Sequence, residues 1–161
     1  MRVIGVDPGW NGGLAIFDDD ILKAVYRFPT DRDENKLARY LELIIDINPV
    51  TGECETVVYM EKVWAFPGNA VRAAFSFGKN YGVWIGTIKT LEIPLIYVRP
   101  TECQKEIGIR VPKDRKKRKK YFQRRAKSFA KGSLKKKISL VVADAVCIGM
   151  YGVRKESLRK W

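Results

Sequence analysis

The chain has 161 residues, 46% of them apolar, carries a formal net charge of +13 and contains no histidine. That length and apolar share suit one ordinary domain with a real core, residues 1–161, and no internal repeat is visible. The missing imidazole excludes Ser-His and Cys-His nucleophiles and histidine metal ligands, and no apolar run reaches the roughly 18–20 residues of a membrane span.

The N-terminal MRVIGVD has no signal-peptide layout, so a soluble, cytoplasmic protein with no membrane partner is expected. Cys54, Cys103 and Cys147 are an odd, scattered set without C-x-x-C spacing and read as free thiols. Any metal must then be held by oxygen, which favours Mg²⁺ or Mn²⁺.

Residues 2–6 (RVIGV) predict a central strand that ends at Asp7 before Pro8 and Gly9. Asn11, Gly12 and Gly13 turn the chain into a second strand at 14–17, and Asp18 to Asp20 turn it back into a third at 21–28, an antiparallel meander. Leu37, Leu41, Ile44 and Ile45 recur at helical spacing over 33–47 and predict a crossover helix. TVVYME at 56–61 reads as a strand buried on both faces and parallel to the first. A loop around Pro67 and Gly68 leads to a helical pattern over 70–92 that Gly78, Gly82 and Gly86 are expected to break. PLIYVRP at 94–100 predicts a fifth strand, and Thr101 caps a short helix before a loop through Gly108 and Pro112.

From Asp114 to Ala130 a narrow apolar stripe of Tyr121, Phe122, Ala126 and Phe129 runs through a basic helix, and a last helix, apolar nearly all round, is expected from Leu140 to Tyr151. The order predicts an α/β fold, a mixed five-stranded sheet with helices on both faces.

Charge is unevenly spread. Residues 99–137 hold seventeen Lys and Arg against Glu102, Glu106 and Asp114, a local +14 that leaves −1 for the remainder. An ordinary solvated surface mixes signs, so this segment points to nucleic acid, bound strongly, salt-dependently and with little sequence preference. Lys113, Arg115, Lys116, Lys117, Arg118, Lys119, Lys120, Arg124 and Arg125 are its candidate DNA-binding residues, and Lys79, among glycines, is another candidate for a phosphate.

Asp7, Glu61 and Asp144 each interrupt or close an apolar run. A buried carboxylate without a partner costs several kcal/mol, so three such interruptions need a reason. With Asp7 and Glu61 at the C-terminal ends of adjacent strands, and Asp144 one turn into the last helix, they could converge at the usual ligand-binding edge of an open α/β sheet. Converging carboxylates repel, and two divalent cations would relieve this and clamp a phosphodiester for hydrolysis. The bland readings are a turn residue for Asp7, a surface pair with Lys62 for Glu61 and a helix cap for Asp144. Lys105 is a second candidate for chemistry, as a point charge on phosphate, and Trp64, Phe66, Phe75 and Phe77 could stack on unpaired bases, pack in the core or make a dimer contact.

Five segments in order, IGVDPGWNGGLAIFD, VVYMEKVWAFPGNA, FSFGKNYGVWIG, VRPTECQKEIG and ADAVCIGMYG, resemble the RuvC-like Holliday-junction resolvases, specifically their short phage-type members. The resemblance implies a ribonuclease-H-like fold and a homodimer that nicks four-way DNA junctions in pairs during DNA recombination and repair. It implies Asp7, Glu61 and Asp144 as catalytic ligands of Mg²⁺, with Mn²⁺ able to substitute and two ions per site. It also implies a phosphate-directed role for Lys105, no small-molecule cofactor, and host-cell cytoplasm if the gene is a phage's. The family usually places an Asp or His three or four residues before its last aspartate, where this chain has Leu140 and Val141. A non-catalytic or weakly catalytic protein that binds branched DNA is therefore the alternative.

Overall fold

The computed structural model describes all residues except 29–32, 46–51, 53, 65–67, 69, 107–111, 160 and 161. Pro67, Phe66 and Gly108 and the end of the predicted 33–47 helix lie outside the described residues. The strands β1 (Arg2–Asp7), β2 (Gly13–Asp18), β3 (Ile21–Arg27), β4 (Thr56–Glu61) and β5 (Leu95–Val98) form one sheet in the order β3-β2-β1-β4-β5. The first three pair antiparallel, and β4 runs parallel to both β1 and β5, as the apolar runs predict. Asp19 and Asp20 both take positive φ (44° and 68°) at the β2–β3 turn, a backbone region that short polar side chains tolerate.

Two helices follow the early strands, α1 (Glu34–Ile44) after β3 and α2 (Val71–Thr90) after β4. The second half of the chain adds α3 (Pro100–Glu106), α4 (Arg115–Phe129), α5 (Leu134–Lys137) and α6 (Ala143–Arg159). Strand alternation divides the core into two layers. Val3, Ala15, Phe17, Val57 and Tyr59 pack with α3, α4 and α6. Ile4, Val6, Leu14, Ile16, Val58 and Met60 pack with Leu41 of α1 and Trp84 and Ile88 of α2.

The α6 side is the closer of the two. A Cβ on Gly5 of β1 would lie 2.3 Å from the Ala145 carbonyl oxygen and 2.3 Å from the Gly149 nitrogen, and one on Gly149 would lie 2.5 Å from the Phe17 ring. Glycine at both positions lets helix and strand backbones touch, which seats the first turn of α6 over the end of β1.

Several boundaries differ from expectation. The three glycines do not break α2, which is continuous over twenty residues. A Cβ at Gly78, Gly82 or Gly86 would meet nothing, so these positions lie on the open side, while Asn80, Trp84 and Ile88 are buried on the other. Burial of that face outweighs a glycine cost of about 1 kcal/mol per position. The last helix starts at Ala143 rather than Leu140 and reaches Arg159, which puts Asp144 in its first turn rather than a turn inside. The helix after β5 begins at Pro100, which suits a first helical position, rather than behind a Thr101 cap, and the short α5 was not expected. Among the described residues no helix is long and apolar enough to cross a membrane.

Candidate metal centre and nucleic-acid interface

Alternation along β1 puts Val3, Gly5 and Asp7 on one face, and along β4 it puts Val57, Tyr59 and Glu61 on one face. Val3, Val57 and Tyr59 belong to the α6 layer, so both acids close their strands on the side that α6 covers. Their parallel register ends with Val6 opposite Met60, and Asp7 and Glu61 are the next residue on each strand. Asp144 enters from the first turn of α6. Three elements far apart in sequence thus deliver carboxylates to one sheet edge.

The electrostatics record this convergence. Burial, then Asp144, then Glu61 push the Asp7 carboxyl up to about 7, against a 3.4 Å hydrogen bond from the Gly9 N–H. Burial and then Asp144 push Glu61 up to about 7 as well. Burial also raises Asp144, opposed by the cations Lys119 and Arg118. Each acid therefore sits where an added positive charge would be favourable. The donor set is all oxygen and suits a hard divalent cation. Among the described residues, however, no three acidic, thiol or imidazole side chains already surround a common point.

The acids open onto two clefts. Glu61 and Asp144 line one of about 480 Å³ with Gln104, Arg118, Lys119 and Phe122. Asp7 lines another of about 670 Å³ with the Gly9–Gly12 turn and the first turns of α2. Lys119 lines both. The turn after Asp7 is gripped by α2, where the Trp10 indole N–H donates to the Ser76 carbonyl at 3.1 Å and the Asn80 amide donates to the Pro8 carbonyl. Cys103 and Cys147 flank the first cleft; burial, then Glu61 and Asp144, hold the Cys103 thiol up to about 12, and burial, then Cys103 and Asp144, push the Cys147 thiol up as well. Both stay protonated and free, as expected of the cysteines, and compete poorly for a metal.

The basic segment provides the rim. Asp114 caps α4 by accepting from the Lys117 N–H at 2.8 Å, and Phe122, Ala126 and Phe129 hold the helix against the α6 layer. Lys113, Lys116, Lys117, Arg118, Lys119, Lys120 and Arg124 are exposed, and Arg125 lies over the Phe129 ring at 4.9 Å. Arg115 opens α4, but its side chain lies outside the described residues. Lys79 is exposed on α2.

Other candidates fall elsewhere. Lys105 is not brought to the carboxylates and lines a separate cleft with Glu102, Glu106, Tyr151 and Lys155. There Glu106 pairs with Lys155 at 3.0 Å and its backbone carbonyl accepts from Arg154 at 2.6 Å, which ties the end of α3 to α6. Trp64 and Phe75 are exposed rather than packed in the core, while Phe77 stacks on Tyr81. The nearness of Arg118 and Lys119 to the acids was missed in the sequence, although the signal was present. The stripe of Phe129, Ala126 and Phe122, continued backwards at helical spacing, lands on these two residues.

No protein-family model matches the chain. No curated protein matches it either. Among solved structures it is similar to Thermus thermophilus RuvC in complex with a Holliday junction substrate, with a TM-score of 0.63 and 15% identity over 98% of this chain and 96% of that one. A second Thermus thermophilus RuvC structure matches over the same shares with a TM-score of 0.56 and 16% identity. The chain has the RuvC-like, ribonuclease-H-like α/β fold.

Proposed function

We propose that the chain is a structure-selective endodeoxyribonuclease that cleaves four-way and other branched DNA by divalent-metal-dependent phosphodiester hydrolysis. The observation that carries this reading is the meeting of Asp7, Glu61 and Asp144 at one edge of the sheet, beside an exposed basic helix. The RuvC-like fold supports it, since one similar structure holds a Holliday junction substrate.

Asp7, Glu61 and Asp144 would hold Mg²⁺ or Mn²⁺ by their carboxylate oxygens. When bound, the cation supplies charge that offsets the carboxylates, acidifies water and polarises the phosphodiester. The chain's own groups do the remaining work. Arg118 and Lys119 draw the scissile phosphate toward the acids, and the exposed lysines of α4 hold the flanking backbone without reading bases. The Asn80 and Trp10 hydrogen bonds keep the Asp7 turn in place while the phosphate enters. A homodimer would place two such sites on a two-fold junction, so that paired nicks fall on strands of the same polarity.

The alternative, a binder of branched DNA with little or no cleavage, is favoured by two observations. The turn ahead of α6 offers Leu140 and Val141 where a further ligand would help, and the acids are not drawn together around one point. A synthetic four-way junction incubated with native chain and with Asp7→Asn, with and without Mg²⁺, separates the two. Paired, Mg²⁺-dependent nicks made only by the native chain support the nuclease; good binding with no product from either supports the binder.

A further inference from the structure

Between Asp114 and Asp144 the chain holds no acid, and the cations of that stretch do not stop with α4. Lys131 follows that helix, and Lys135, Lys136 and Lys137 fill the rest of α5 behind Leu134. Two apolar side chains anchor this short helix. Leu134 packs against the α6 layer and Ile138 is buried within it, and the Gln123 amide donates to the Ile138 carbonyl at 2.9 Å. The three lysines between the anchors are exposed. Packing therefore asks nothing of them. A helix of four residues has no stability of its own, and neighbouring like charges repel, so three lysines in a row need a reason outside the fold.

The place of α5 supplies that reason. It packs beside β3, the outermost strand at one edge of the sheet, where Lys23 and Arg27 are exposed as well. Arg27 lies opposite Gly13, and Gly13 lies opposite Asp7, so two strand spacings, about 10 Å, separate this edge from the acids. None of the six cations lines a carboxylate cleft. Nor, among the described residues, is any of them held in an ion pair. Of the acids at the ends of β3, Asp18 is paired with Arg2 at 2.7 Å and Asp19 with the N-terminal amine at 3.1 Å. Asp33 caps α1, and Asp20 stands at the opposite end of β3 from Arg27.

We infer that α5 and the β3 edge form a second DNA surface, separate from the carboxylate edge, that holds a duplex arm of the branched substrate away from its crossover. The inference rests on the branched-DNA reading and deepens it by saying where an arm lies. Cations of one sign spread over a helix and the strand beside it, with no enclosing cavity, match a partner whose negative charge is extended and regular, as on a duplex backbone. Five of the six are lysines, compact charges on flexible stems that meet phosphates without reading bases. A displacement of about 10 Å or more is at least about three base pairs along a strand, so this surface meets the arm and not the crossover.

Hydroxyl-radical footprinting of a synthetic four-way junction, in chelator so that no strand is cut, locates the contact. The full native chain is compared with Lys135→Ala, Lys136→Ala and Lys137→Ala made together, and with the same three positions changed to arginine. The native chain is expected to protect the crossover and a second zone beginning about three base pairs out along an arm. The alanine variant should lose the outer zone and keep the central one, with the salt slope of binding reduced by between about two and three, while the arginine variant behaves as native. Lys23→Ala with Arg27→Ala approaches the same zone from the strand and should shrink it without touching α5. Native outer protection in both alanine variants, or equal loss of the outer and central zones, overturns the inference. Cleavage with Mg²⁺ at saturating junction is measured beside it, and the alanine variants should cut at the native positions and rate. A native chain that protects both zones but never cuts overturns the nuclease reading and leaves the arm surface standing; one that protects neither overturns both.

Discussion

The carboxylate edge and the basic helix that borders it are built on opposite principles. Asp7, Glu61 and Asp144 are few and enclosed, all three raised by burial and Asp7 and Glu61 also by acidic neighbours, and each depends on a different element for its place. Lys116, Lys117, Lys120 and Arg124 of α4, by contrast, are exposed, line neither of these clefts and depend on little beyond the helix that displays them. One region concentrates its effect in single side chains and the other spreads it over a surface. That contrast teaches where a single substitution matters and where only several together do.

The largest expected effect lies at the acids. Asp7→Asn, Glu61→Gln or Asp144→Asn removes a charge and a metal ligand while keeping shape, and each is expected to lower junction cleavage by about a thousandfold or more. Junction affinity should stay within a few fold, because the repelling charge goes too. A single-turnover cleavage assay beside a mobility-shift titration checks both, and a mutant that cuts at the native rate breaks the contrast at its stronger end.

For the helix, the prediction is additive. Replacing Lys116, Lys117 and Lys120 together with alanine, none of which lines a cleft, should weaken junction binding by about a hundredfold near physiological salt and reduce the salt slope by between about two and three. Any one of the three alone should cost less than about tenfold. If a single replacement accounts for the whole loss, the surface is a specific contact and not a distributed one.

Stability draws the same line. Gly5→Ala would place a methyl against the α6 backbone and is expected to cost about 1–3 kcal/mol in urea unfolding, with a loss of cleavage beyond the loss of fold because Asp144 is displaced. The triple α4 variant should unfold at the native midpoint or above it, since like charges are relieved.

The smallest effect is a dependence on pH. Asp7 and Glu61 are raised to about 7 from 3.8 and 4.5, so the folded chain holds more protons than the unfolded chain across that window. Stability without divalent cations should therefore fall as pH rises from about 4 to about 7, and Mn²⁺ should restore it above that range. Asp7→Asn, freed of one of these charges, should be more stable than the native chain by about 1–2 kcal/mol at pH 8 in chelator. A less stable Asp7→Asn under those conditions would mean that the carboxylate is held by contacts that burial and repulsion do not describe.

Much of the architecture was legible in the chain because it depends on short-range patterns. Apolar runs ending in Pro-Gly or Asp-rich turns marked the strands, and β4 lies beside β1 as its doubly buried composition predicted. The glycines of α2 misled because local propensity takes no account of Trp84 and Ile88, which hold the helix through its packed face. Asp144 was displaced by a turn because the apolar run through Leu140 continues past the helix start. Lys105 was singled out from its neighbourhood in sequence, yet the tie between Glu106 and α6 directs that end of α3 to another cleft.

What the sequence determined by itself was chemistry: oxygen ligands only, no imidazole, three acids in apolar settings and a basic stretch too concentrated for an ordinary surface. Residue type and short-range spacing carry that information, because they set what a group can donate, accept or neutralise. Only the tertiary structure decided which groups meet. Strand register aligned Asp7 with Glu61, the contact of Gly5 with Gly149 set Asp144 above them, and the pitch of α4 brought Lys119 rather than Lys105 to the acids. Most of those meetings depend on packing between elements distant in sequence, as β1 is from β4 and from α6, and such distances lie beyond any local pattern.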